Sequence, residues 1–202
     1  MLEIETPTGP ARVQVDEATG PARAMLVLGH GAGGGVDARD ILAVRTAVVA
    51  AGVTVVRVTQ PYRVAGRRAP APANQLDAAW LAVLAALTEA RGDLPLIAGG
   101  RSSGARVACR TAVAGGAAGV VALAFPVHLP GRPDKSRLPE LDAAGVPTLA
   151  VSGERDPFGV PPEGPGRDVV VVPGATHDLR KDLRTVATAV VTWLARYGWA
   201  AP

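Results

Sequence analysis

Runs of apolar residues short enough to be buried strands alternate along this chain with segments whose apolar positions recur at helical spacing. Residues 12–15, 24–28, 53–59, 96–98, 120–125, 148–152 and 168–172 read as strands, and 24–28, 96–98 and 120–125 are apolar at every position. Between them, 41–51, 74–91, 103–114, 135–144 and 179–197 read as helices. The clearest is 74–91, where Leu76, Trp80, Val83, Leu84 and Leu87 share one face. In 179–197 the positions Leu183, Val186, Val190 and Leu194 do the same, and Asp37 stands where it could cap the first helix. Strands that are apolar on both faces belong inside a parallel sheet covered by helices on each side. The pattern therefore predicts one α/β domain over residues 1–202, with a mostly parallel central sheet. There is no internal repeat or linker, and the insertion after Phe125 is too short for a large cap domain.

Ligands of such sheets bind beyond the carboxyl ends of the strands. The unusual residues of this chain fall in those loops: a glycine run after Leu28, a Pro/Arg segment after Thr59, and the turn at Ser102. That turn, Gly99-Gly100-Arg101-Ser102-Ser103-Gly104, has the form G-x-S-x-G between a strand and a helix. A serine held on so sharp a turn takes a strained backbone conformation and stands exposed, and glycines on either side remove the clashes. A serine hydroxyl is inert at its free pKa, so it needs a base, an acid to orient the base, and donors for the developing oxyanion.

The later loops hold candidates for the first two. Asp156 follows one strand in Glu154-Arg155-Asp156-Pro157, and His177 follows the last in Ala175-Thr176-His177-Asp178. Either alone could be a turn former or a surface residue. Together with Ser102 they give the chain order Ser, Asp, His, with His177 as general base and acid and Asp156 as its orienting partner. The backbone N–H groups of Ser103 and Ala32 are the expected oxyanion donors, Ala32 lying in the run Gly29-His30-Gly31-Ala32-Gly33-Gly34-Gly35. The same run satisfies G-x-G-x-x-G, but the next strand ends Val58-Thr59-Gln60 without the acidic residue a dinucleotide ribose requires. His30, Gly31, Tyr62, Arg67, Arg101 and His128 occupy loops on the same rim and are candidates for lining the substrate pocket.

Composition narrows the reading further. The formal charge of +3 comes from scattered arginines rather than a basic face, and aromatics are only 3% of the chain, which argues against nucleic-acid binding. The single cysteine, Cys109, excludes an internal disulfide and fits a reducing compartment. The N-terminal stretch lacks the basic and apolar regions of a signal peptide, and no apolar run is long enough to span a bilayer. These features point to a cytoplasmic protein with no membrane contact. No cluster has metal-ligand spacing, and no cofactor is expected.

Nearly the whole chain resembles the small α/β-hydrolases, and more narrowly their dienelactone-hydrolase-related branch, which includes the NSL-complex regulatory-subunit-like proteins and many bacterial hydrolases. The narrower likeness rests on Gly29 to Gly34, on Pro61-Tyr62 with Gly66-Arg67-Arg68, and on Gly99 to Ser102 with Gly104-Ala105-Arg106. Pro126-Val127-His128 with Pro130-Gly131 adds to it. Dienelactone hydrolases proper carry cysteine at the elbow, where this chain has Ser102. Relatives often have methionine after the nucleophile, where this chain has Ser103. The resemblance implies a serine hydrolase acting on a small ester or thioester. Some members of the branch are interaction subunits, so a non-catalytic module is the alternative.

Overall fold

The computed structural model describes residues 2–202. Eight strands form one sheet: β1 (Leu2–Ile4), β2 (Ala11–Asp16), β3 (Ala24–Gly29), β4 (Val53–Thr59), β5 (Leu96–Arg101), β6 (Gly119–Leu123), β7 (Thr148–Gly153) and β8 (Arg167–Val172). Their order across the sheet is β1-β2-β4-β3-β5-β6-β7-β8. The pairings β1 with β2 and β2 with β4 are antiparallel, and all the others are parallel.

The helices are α1 (Arg39–Ala50), α2 (Pro61–Val64), α3 (Ala73–Arg91), α4 (Ser103–Thr111), α5 (Leu138–Asp142) and α6 (Leu183–Arg196). One apolar core lies on the sheet face covered by α3, α4 and α5, with Trp80, Val83, Leu84 and Val107 against Val27, Val56 and Ala98. The other lies under α1 and α6, where Ile41, Val44, Val186 and Val190 meet Leu26, Leu28, Ile97 and Val121. Both faces of β3, β5 and β6 are thus buried, as their apolar runs require.

Several boundaries differ from the sequence reading, each for a local reason. Asp37 does not cap α1. Its carboxylate receives a 2.6 Å bond from Arg57 on β4, and Ala38 holds the cap position. The helix read at 135–144 shortens to Leu138–Asp142, because Pro139 opens it and the Ser136 hydroxyl takes the Leu138 N–H in a turn just before it. The helix read from 179 begins at Leu183. Leu179 has a left-handed backbone (φ 54°), and Asp182 caps α6 by accepting from Thr185 N at 3.0 Å. The segment 60–73, read as irregular, opens with α2, whose first residue Pro61 is suited to that position. No helix among the described residues is long and apolar enough to cross a membrane.

Candidate active site

Ser102 joins β5 to α4 with φ at 52°, a left-handed conformation that costs a non-glycine residue energy and recurs at functional turns. Its neighbours are glycine because of crowding. A Cβ on Gly104 would stand 2.6 Å from the backbone carbon and oxygen of Gly29, and one on Gly100 would stand 2.6 Å from the Gly104 carbon. The elbow and the end of β3 are therefore packed backbone against backbone. Gly104→Ala should destabilise the protein by about 3 kcal/mol, because only backbone can yield. Gly33→Ala, whose added methyl would meet nothing within 4 Å, should be close to neutral. Chemical denaturation of the two variants checks the contrast.

Across the tips of β5, β7 and β8, three side chains form a hydrogen-bonded chain. The His177 ring donates from Nδ1 to Asp156 Oδ2 at 2.8 Å, which leaves Nε2 to accept from the Ser102 hydroxyl at 2.9 Å. The Asp156 side chain is fully buried, while the His177 side chain keeps 19% exposure. The other carboxylate oxygen, Oδ1, accepts from Phe158 N at 2.9 Å and so locks the carboxylate plane. Phe158 also lies against the imidazole, with ring centroids 4.3 Å apart. Sequence reasoning missed Phe158. The signal available was that one of the chain's two phenylalanines follows the acid by two residues.

The glycine-rich loop after β3 lies beside Ser102, for a Cβ on Gly31 would be 3.6 Å from the Ser102 Cβ. Its geometry turns on one peptide. The carbonyl of Gly31 accepts from His30 Nδ1 at 2.8 Å and from Gly34 N at 3.1 Å. The peptide is planar, so fixing this carbonyl also fixes the N–H of Ala32 on its opposite side. The Tyr62 hydroxyl donates to the Ala32 carbonyl at 2.8 Å and holds the next peptide. Ser103, the first residue of α4, has a backbone N–H with no partner inside the helix.

Two residues read as pocket-lining are held by partners within the structure. His30 is buried, and its Nε2 accepts the Gln60 N–H at 3.1 Å, so it is a neutral strut behind the loop. Arg101 lies against Gly31 and is held by two partners. Its Nε lies 3.0 Å from buried Asp40 Oδ2, and its Nη2 donates to the His177 carbonyl at 3.1 Å, tying the His177 loop to α1. Burial raises the Asp40 carboxyl above its usual range, against the pull of Arg101. Arg67 is exposed, and no carboxylate among the described residues pairs with it. The backbone of His128 bonds to Phe158 O, and its ring lies over Gly159 on the Asp156 loop. Cys109 is buried and its thiol is pushed up to about 12 by burial, so it offers no competing thiolate.

Burial also holds the His30 imidazole below its ordinary 6.5, with Arg63 acting in the same direction. A histidine depressed in the folded state stabilises above its unfolded pKa, and that contribution is lost as pH falls. Wild type should therefore lose stability relative to His30→Gln as pH drops from about 7 to 5. Urea midpoints measured across that range read the difference directly.

The comparisons with known proteins agree with this architecture. A sheet of this order, with a serine on the turn after its central strand, is the frame of a hydrolase. The chain matches the family described as "alpha/beta hydrolase domain" over residues 22–193, and it belongs to that family. Among solved structures, it is similar to a lidless α/β serine hydrolase from Xanthomonas campestris, with a TM-score of 0.80 and 21% identity over 100% of this chain and 95% of that one. It is also similar to Est1E from Butyrivibrio proteoclasticus (TM-score 0.78, 16% identity, 96% and 97% covered). The dienelactone hydrolase of Anabaena variabilis follows (TM-score 0.74, 18% identity, 96% and 95% covered). No curated protein matches the chain in sequence.

Proposed function

We propose that the protein is a serine hydrolase that cleaves small esters or thioesters through an acyl-enzyme on Ser102. As Ser102 Oγ attacks the acyl carbon, its proton passes to His177 Nε2 and the carbonyl electron pair moves onto oxygen. The N–H groups of Ala32 and Ser103 receive that oxyanion, while Asp156 stabilises the imidazolium. Collapse expels the alkoxide or thiolate, which takes the proton from His177 Nε2. Water then repeats the attack on the acyl group, with His177 again as base, and the carboxylic acid leaves.

The observation that carries this reading is the unbroken chain of bonds from the Ser102 hydroxyl to Asp156, 2.9 Å and 2.8 Å long, with the serine held at positive φ. A non-catalytic module would need neither the strained serine nor the buried acid. Labelling the intact protein with a fluorophosphonate, followed by peptide mapping, tests the proposal. A single adduct on Ser102 is expected. No adduct, or one on another residue, would overturn it.

A further inference from the structure

Two very unequal spaces flank the elbow. On the side of the His177 loop, a cleft of about 360 Å³ is bordered by Gly34, Gly35, Arg39, Arg101, Asp178 and Arg180. On the side of α3 a much narrower cavity of about 10 Å³ is bounded by His30, Gln60, Tyr62, Leu76, Trp80 and Val107, and it reaches Ser103 and Gly104. The chemistry assigns a different part of the substrate to each. A leaving group must reach His177 Nε2 to collect its proton, so it lies on the His177 side. The carbonyl oxygen points to the N–H groups of Ala32 and Ser103. The remaining substituent of the acyl carbon, the acyl chain, then faces away from His177 and toward the wall behind Ser103.

That wall is fixed. Trp80, Val107 and Leu76 are 1%, 3% and 7% exposed, and the Tyr62 hydroxyl is tied to Ala32. The Trp80 ring also backs onto Gly29, where a Cβ would come within 3.2 Å of it. A cavity of this size admits one water-sized group, about a methyl. We propose that the site takes acyl groups of acetyl size on leaving groups of varied size, with Leu76, Trp80 and Val107 setting the limit. The inference rests on Ser102 being the nucleophile.

Esters sharing one leaving group, p-nitrophenyl acetate, butyrate and octanoate, measure the acyl side. Phenyl and naphthyl acetates measure the other, each rate being compared with alkaline hydrolysis of the same ester. From acetate to octanoate kcat/KM should fall by about tenfold or more, a discrimination within reach of a small, tightly bounded pocket. The change of leaving group should matter by no more than about threefold, as an open cleft imposes little selection. Leu76→Ala, or the milder Val107→Ala, should raise the octanoate-to-acetate ratio by about fivefold or more while Ser102 still labels with fluorophosphonate. A flat or reversed chain-length profile in wild type that labels at Ser102 would overturn the inference and leave the hydrolase reading standing. Labelled variants with an unchanged ratio would overturn it too. Absence of labelling in wild type would overturn the hydrolase reading itself.

Discussion

Ser102→Ala should lower kcat by about 10⁴- to 10⁶-fold and abolish fluorophosphonate labelling. The size of the loss follows from covalent catalysis. Without Oγ there is no acyl-enzyme, and what survives is the rate that the Ala32 and Ser103 donors and the binding surface give to direct attack by water. The fold should persist, because Ser102 lends the structure its backbone rather than its side chain. Its N–H bonds Leu123 O at 2.9 Å and its carbonyl accepts from Arg106 N at 3.2 Å, and both survive the substitution. Alanine is no worse than serine at positive φ. The melting temperature should therefore stay within a few degrees of wild type. A variant that kept activity while folded would remove Ser102 from the chemistry.

The parts of this site legible in the sequence are those that local pattern determines. Ser102 announces itself through glycines on both sides and an apolar strand before it, and Asp156 and His177 through their places just beyond later strands. What stays hidden depends on partners distant in the chain. Arg101 reads as a free cation beside a serine, yet the strand order brings it to Asp40, sixty-one positions earlier, and to the His177 carbonyl. His30 reads as a polar group in an open loop. Only the adjacency of β3 and β4 places the Gln60 N–H on its far nitrogen. Asp37 has the right type and place for a helix cap, but its carboxylate pairs with the guanidinium of Arg57, a partner that carries a full charge where a backbone N–H does not. The short β1 carries too few residues for any periodicity, and its existence depends on the β2 edge it joins. The glycines at 100 and 104 are readable as a requirement, but the backbone they make room for, Gly29 and His30, comes from another strand.

Asp156→Asn should reduce kcat by about 10³- to 10⁴-fold with little change in fold, and the direction follows from one hydrogen bond. In wild type, Asp156 Oδ1 accepts the Phe158 N–H at 2.9 Å while Oδ2 accepts from His177 Nδ1 at 2.8 Å. Asparagine has a single oxygen. Turning its amide group toward Phe158 N would set donor against donor, so the oxygen keeps that place and the –NH₂ faces His177. His177 Nδ1 must then accept, which moves the ring proton to Nε2. That nitrogen can no longer take the proton of Ser102, although every heavy atom stays in position. The loss should fall on kcat rather than KM, because substrate binding does not use Asp156. Nitrogen-15 NMR of the histidine ring gives an independent readout: the proton of neutral His177 should be on Nδ1 in wild type and on Nε2 in the variant. Near-wild-type turnover by Asp156→Asn, or an unchanged tautomer, would show that Asp156 does not orient the base.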